Sequence, residues 1–555
     1  MLDHYAFQLK VLENMVRESL RAQCMEEDSP FYGALEETAQ GVTGPHASIG
    51  LARRLVEGYC VPGSAFRGQE LLLHRAILAM EYALSRVHED GTIDLVTTNF
   101  HDASETAFAV QTAAPALMML REFGQGAVAE ARLEALLYRF IERSAEGLLA
   151  GGFHTPNHRW VHASALALCG RLTGREDCLR KMRAFLAEGI DCDDEGEYTE
   201  RSTGVYNIVC DRSFILLAET LGMEDLLSHV ERNLSMVEMY FEPDHTVNTL
   251  NSTRQDAGTA PDWRVYYSCY LYMALRTGRA DFSWIADEML RQSDHEPLFH
   301  EQGRGPYYDY MFYLIRSPEA LARMGEIGAT PPPARFGKHF AGSGIVRARR
   351  DDLSLTLVKD QPLFAMLKFG AHALWLRLAG CFYARGQFEA QSIEDLPEGW
   401  RLRFDVRWGY KGPLPEPQET SDWRGMDHSR RPDVFMQDFG FEVEARLREG
   451  EASFAVVSRG QTEVPVKLEL LMEPGGRFVT GDVALRARPG DYVYQKCGAS
   501  AYQYMDRHAV AIEGGFHGHE FGENMRGALP GDEKHFFVAM TGFTPLREQV
   551  TLRFK

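Results

Sequence analysis

The chain has 555 residues and a formal net charge of −20, with 45% hydrophobic and 25% charged residues. That length exceeds what one core organises, so two or more domains are expected, and the composition is that of a folded chain rather than a disordered one. The acidic balance argues against a general binder of nucleic acid or anionic membrane, although a local basic cleft could still take an acidic small substrate.

No window approaches the ~18 uninterrupted apolar residues of a membrane span. The nine cysteines are dispersed without a Cys-x-x-Cys pair, which reads as reduced core thiols. The first ten residues lack a basic stretch followed by an apolar one. A cytoplasmic location is therefore the expectation, or a periplasmic one if a leader has been removed.

Residues 1–327 read as helix after helix. The first run, Tyr5 to Cys24, carries Phe7, Leu9, Leu12, Met15, Val16 and Leu20 near a 3.6-residue period. Similar runs cover 49–59, 70–87, 105–123, 128–149, 161–172, 177–186, 206–221, 223–240, 265–276 and 282–292. Ser104 offers an N-cap, and Gly124, Gly222 and Gly278 follow helix ends. Short connections make consecutive helices antiparallel neighbours, and the absence of a fixed-length repeat excludes a solenoid. An (α/α) toroid is the expectation.

Gly328-Ala-Thr-Pro-Pro-Pro-Ala334 cannot continue a helix and reads as a linker. Beyond it the period becomes two, with strands expected at 344–349, 353–359, 364–369, 373–379, 388–393, 400–407, 439–446, 453–458, 466–472 and 550–554. This spacing indicates an antiparallel β-sandwich over 335–555. The fold class is therefore α+β and multidomain: toroid, linker, sandwich. Residues 409–432 form a long loop rich in Pro, Gly and charge.

Polar clusters at helix mouths are the candidate chemistry. Asn157-His158-Arg159-Trp160 opens one helix; an amide and an imidazole at a helix N-terminus can hold a carboxylate. The plainer reading is a capping Asn157 and a solvated His158. Asp194-Glu-Gly-Glu-Tyr-Thr-Glu-Arg-Ser-Thr-Gly-Val-Tyr206 runs into another helix, with Glu200, Arg201 and Ser202 bracing the turn. The two mouths are expected to face each other across a sugar-binding cleft. Tyr206 could serve as base and acid, although a phenol of pKa about 10 needs a neighbouring cation to do so; its plainer role is a core tyrosine.

His372 lies at a Gly-marked break between strands, from which a histidine could reach over the cleft; an ordinary strand histidine is the alternative. Asn99-Phe-His101-Asp102 and Asn248-Thr-Leu-Asn251-Ser-Thr-Arg254-Gln-Asp256 are further polar loops. Arg254 could hold a substrate carboxylate through its planar fork, and either loop could equally be capped and self-bonded. His372, Asp427 and His428 match no metal-ligand spacing, so no metal or other cofactor is expected to be required. Phosphate-binding glycine loops, Gly-x-Ser-x-Gly elbows and His-Glu-x-x-His helices are absent.

Together these residues resemble the heparinase II/III-like polysaccharide lyases, including the oligoalginate lyases. Asn157-His158 looks like that family's Asn-His motif, and the stretch ending at Tyr206 looks like its Asp-Gly…Glu-Arg-Ser…Tyr motif. In the family the Tyr is often followed by His; here Asn207 follows. His372 resembles the histidine supplied by the family's sandwich, without the acidic metal-ligand pattern often seen beside it.

The resemblance implies β-elimination on a uronate-containing oligosaccharide. Asn157 and His158 would hold the carboxylate, Tyr206 or His372 would take the C5 proton, and Tyr206 would protonate the leaving oxygen. Asn99, His101, Trp160, Arg201 and Arg254 would contact sugars. Exo-action on short chains and a homodimer are further expectations. The rivals are a glycoside hydrolase, which needs a carboxylate pair from among Asp102, Glu105, Asp194 and Glu200; a uronyl epimerase; and a non-catalytic carbohydrate-binding protein.

Overall fold

The computed structural model describes residues 3–35, 42–293, 311–416, 420–496, 498–522 and 524–555. The chain forms two compact units, one of residues 1–241 and 246–332, the other of 242–245 and 333–555. No two of the eight described cysteines are joined in a disulfide. No described helix is long and apolar enough to cross a membrane.

The first unit is helical. Its helices are α1 (His4–Ala22), α2 (Pro45–Cys60), α3 (Glu70–Ser85), α4 (Ala103–Phe123), α5 (Val128–Ala150), α6 (Pro156–Thr173) and α7 (Glu176–Ala187). There follow α8 (Tyr206–Leu221), α9 (Leu227–Val237), α10 (Tyr267–Thr277), α11 (Ala280–Arg291), α12 (Met311–Arg316) and α13 (Pro318–Arg323). The expected run over 223–240 is α9 flanked by two 3-10 turns, and the short α12 and α13 were not anticipated.

The helices alternate between two environments. α2, α4, α6 and α8 pack in succession against one another, while α3, α5, α7 and α9 each pack behind one of them. Burial separates the two sets. Every residue of α6 from Trp160 to Gly170 is buried, whereas α7 buries only Cys178 and Met182, one turn apart. A helix buried all round belongs inside, and one with a narrow apolar stripe belongs outside.

A small residue lets an outer helix approach an inner one closely: a Cβ on Gly170 of α6 would come within 2.6 Å of Leu179 of α7. Across this interior Gln111 of α4 donates to Ser164 of α6 and Ser213 of α8, at 2.6 and 3.2 Å. Because the intervening helices run back, α2, α4, α6 and α8 bring their N-termini to one end. The site lies there.

The second unit holds two nine-stranded sheets. Among the described strands all pairings are antiparallel except that of Tyr492–Tyr494 with Phe536–Phe543. Alternation sets the faces: Trp400, Leu402 and Phe404 point inward, while Arg401 and Arg403 pair across strands with Glu444 and Glu442. Inward residues of both sheets, such as Leu376 and Phe441, share one core. The expected strand at 388–393 is instead two short ones, Gly386–Gln387 and Ser392–Leu396.

Glu242–His245, placed by the sequence inside the helical part, belongs to this second unit. Glu242 is buried there in an ion pair with Arg347 at 3.0 Å and accepts from Ser354, and Asp244 pairs with Lys368.

Candidate active site

Glu200 is the hub of the helical unit's polar end. Pro156, which has no N–H to leave unpaired, starts α6, so Asn157 falls within the first turn. Its free backbone N–H points at Glu200 Oε2, 3.0 Å away. The same oxygen accepts from the Asn157 side-chain amide at 2.7 Å. A carboxylate here satisfies an orphan donor and meets the positive end of the helix. The other carboxylate oxygen stands 3.2 Å from Arg254 Nε, an ion pair rather than an aligned hydrogen bond.

Arg254 in turn lies over the Tyr206 ring, 5.1 Å from its centroid, and Gln255 donates to the Tyr206 hydroxyl. One continuous chain therefore runs Asn157, Glu200, Arg254, Tyr206.

The loops carrying these groups are dovetailed. Ser202 Oγ accepts from Tyr206 N at 3.1 Å, at the start of α8. Arg201 turns the chain at φ +50°. Asp256 accepts from Gly204 N at 3.0 Å and from Ser252 at 2.6 Å. A Cβ on Gly204 would sit 2.8 Å from that carboxylate, which is why a glycine occupies the turn. Behind them Glu197 is buried near the Asn207 and Asn251 amides and the Tyr240 hydroxyl, at 3.4, 3.4 and 3.2 Å. Burial pushes its pKa up to about 7.

His158, one residue past Asn157, completes the group. Burial lowers its pKa to about 4, with the positive fields of His154 and Arg254 opposing Asp102 and Glu105. It is therefore neutral near pH 7. Its Nδ1 is buried without a hydrogen-bond partner, and its ring meets Phe108 and His154 edge-on at 5.7 and 5.5 Å. The first turns of α2 and α4 join here, with His46 Nδ1 2.7 Å from Glu105 Oε1. Asp102 caps α4 and accepts from Asn99 at 2.9 Å.

Several expectations are corrected. The α6 and α8 mouths stand side by side, joined through Glu200, instead of facing each other across a cleft. Asn157 is 0% exposed, and its amide N–H groups point at Glu200 and Thr155, so it lies behind the site rather than in it. Trp160, expected to stack on a sugar, is 0% exposed; its indole donates to Asp191 at 2.8 Å and packs on Phe214. An apolar ring on the inner face of an inner helix has no route to solvent.

His101 is exposed but turned to Asp90, at 2.6 Å, and stacked on His88. The hydrolase carboxylates form no free pair: Asp102 and Glu200 serve backbone and amide groups, Glu105 meets His46, and Asp194 extends into solvent. Gln255 and His154 were not singled out; their only sequence signal was adjacency to Arg254 and to the Asn157 turn.

His372 belongs to the second unit. Its Nδ1 lies 3.1 Å from Glu473 and its Nε2 3.0 Å from Asp506, and its ring stacks on Tyr504. His508 Nδ1 approaches the same Asp506 oxygen at 2.7 Å. Among the described residues, His372, Asp506 and His508 are the one group whose donor atoms, all within 4.8 Å of one another, could hold a metal ion. Two imidazoles and a carboxylate suit a borderline divalent ion. His428, weighed for such a role from sequence, instead lies against Trp423 and accepts from Arg431.

No protein-family model matches the chain, and no curated protein matches it. Solved structures do. A heparan sulfate lyase mutant of Pedobacter heparinus superposes with a TM-score of 0.55 at 11% identity, over 98% of this chain and 83% of that one. The chondroitin AC lyase of Streptomyces coelicolor, in complex with chondroitin sulphate, gives 0.53 at 12%, over 99% and 79%. A xanthan lyase of Paenibacillus gives 0.57 at 8%, over all of this chain and 55% of that one. The chain shares the fold of these polysaccharide lyases, the group its sequence motifs resemble.

Proposed function

We propose that the protein is a polysaccharide lyase that cleaves uronate-containing oligosaccharides by β-elimination, its helical unit an (α/α) toroid and its strand unit a β-sandwich. The observation that carries the reading is the linked set Asn157, Glu200, Arg254 and Tyr206, with neutral His158 beside it. It joins a phenol, a cation and an uncharged imidazole at one polar end of the helices. The fold shared with three lyases supports the same chemistry.

The C5–H bond of a uronate resists ionisation because the neighbouring carboxylate is already negative. Arg254, partly exposed, is placed to pair with that carboxylate and to take up charge as the enolate-like intermediate forms, helped by a His158 N–H. Asn157 and Glu200 hold these groups from behind. Tyr206, once deprotonated, takes the C5 proton. The electron pair then forms the C4–C5 double bond as the C4–O bond breaks, and Tyr206 returns the proton to the departing oxygen. The phenolate is regenerated, so atoms and charge balance.

Exo-action on short chains is the finer reading. The test is a panel of uronate oligosaccharides followed by the near-ultraviolet absorbance of the new conjugated double bond, with Tyr206→Phe as control. Cleavage without that absorbance would make the enzyme a hydrolase, and binding without turnover would make it a carbohydrate-binding protein.

A further inference from the structure

The two longest strands of the second unit, Gly399–Lys411 and Asp433–Arg448, form a hairpin that outruns the hydrophobic core. Phe404 and Val406 are the last side chains of the first strand to meet that core. Beyond them come Trp408 and Tyr410, both exposed, with Tyr410 at 59%. The ladder register shifts between them at Gly409, where a Cβ would meet Val434 O at 2.7 Å. Such a bulge re-aims the side chains around it. Tyr383 packs edge-on against Tyr410, and the Arg385 guanidinium lies 3.6 Å from the centroid of the Trp408 ring.

A cavity of about 390 Å³ adjoins these rings, lined by Tyr383, Gln437, Gln461, Thr462 and Glu463 among others. Gln437 is the cross-strand partner of Trp408, so cavity and rings are continuous. The volume lies in the ~300–1,000 Å³ range of small-ligand sites. Nine described non-glycine residues have left-handed backbone, and four of them, Tyr383, Ala384, Phe435 and Glu463, gather here. Strain of this kind persists where the surroundings enforce it, and it concentrates at functional sites.

Flat aromatic faces beside amides, a hydroxyl and a carboxylate are the complement of a pyranose ring, apolar on its C–H faces and polar at its rim. We propose that this end of the second unit is a sugar-binding site, taking an oligosaccharide whose acid group pairs with Arg385. The rings and cavity carry the sugar assignment by themselves. The preference for an acidic sugar rests also on the proposed function.

Isothermal titration of the full chain carrying Tyr206→Phe, with a mannuronate tetrasaccharide and with neutral cellotetraose, tests it. A binding event weakened at least tenfold by Trp408→Ala and by Tyr410→Ala is expected. Trp408→Phe, which keeps a ring, should retain most of the affinity, an outcome that misfolding would not give. Arg385→Ala should weaken the mannuronate alone. Titrations unchanged by the Trp408 and Tyr410 substitutions overturn the site, and equal affinity for the two probes overturns its acidic specificity. If the chain forms no unsaturated product but keeps the Trp408-dependent event, the site stands without the reaction.

Discussion

Carboxylates organise basic side chains at Glu200 in the helical unit and around His372 in the strand unit, and the two centres do it in opposite ways. In the helical unit a single buried acid, Glu200, serves a backbone N–H, an amide and a guanidinium. Its charge is spent on holding neighbours in place, and Arg254 keeps a face free for Tyr206. In the strand unit one imidazole, His372, stands between two acids, Glu473 and Asp506, and a second imidazole converges on Asp506. Acceptors there outnumber protons unless a ring is doubly protonated or a cation enters. The first centre is built to present groups outward, the second to hold positive charge within.

The sharpest way to break this contrast is at Tyr206. Tyr206→Phe should lower formation of unsaturated product by ~10²–10³, the cost of removing one group that acts on the reacting atoms. The melting temperature should hardly move, since the hydroxyl bonds only to exposed Gln255 among the described residues. A variant keeping half the wild-type rate would remove Tyr206 from the chemistry.

How far the sequence could be read follows from the same contrast. Tyr206 to Leu221 matched α8 to the residue, because an apolar period with Gly222 after it specifies both register and end. The Asn157 turn was found, but not its depth. An amide at a helix start reads the same whether it faces solvent or a carboxylate 43 positions away, such as that of Glu200. Trp160 failed for a related reason, since α6 is buried all round and periodicity cannot show which polar-looking turn is covered.

In the second unit, strands such as Phe536–Phe543 are buried along most of their length and carry no alternation to read. The partners of His372 come from more than 100 positions further along the chain, which no local spacing reveals.

The charge state of the helical centre can be sharpened by pH. His158 titrates near 4 in the fold against an ordinary 6.5, because burial disfavours its charged form. As pH falls from 6.5 to about 4 the unfolded chain takes a proton that the folded chain refuses, so stability declines across that window. The loss is at most ~3 kcal/mol, and less after screening at a partly exposed ring. Glu197 has the opposite sign. Its pKa is raised to about 7, so its contribution is full below its ordinary 4.5 and is lost as pH rises through 7. Melting curves from pH 4 to 8 should show both effects between about pH 4 and 7, His158→Gln removing a rise of stability with pH and Glu197→Gln removing a fall. Unchanged slopes would mean that neither group is buried as described.

Glu200→Gln is a subtler break. The amide can still accept from Asn157 but no longer pairs with Arg254. A roughly tenfold loss in kcat/KM is expected, with a stability cost of about 1 kcal/mol because Arg254 is partly exposed. A stability loss without a rate loss would make Glu200 purely structural.

The smallest effect tests the other half of the contrast. If the strand centre holds positive charge as an ion, zinc at ten times its dissociation constant should stabilise that unit by about 1.4 kcal/mol, a rise of a few degrees in melting temperature. Glu473 beside His372 Nδ1 would fix the tautomer that leaves Nε2 free to ligate. Asp506→Asn and His508→Ala should each erase the rise, whereas Asp427→Asn, in the separate turn at His428, should not. A melting temperature indifferent to zinc and to chelator would exclude an ion at this centre. It would then be an ordinary carboxylate–imidazole cluster, and the difference between the units would reduce to depth of burial.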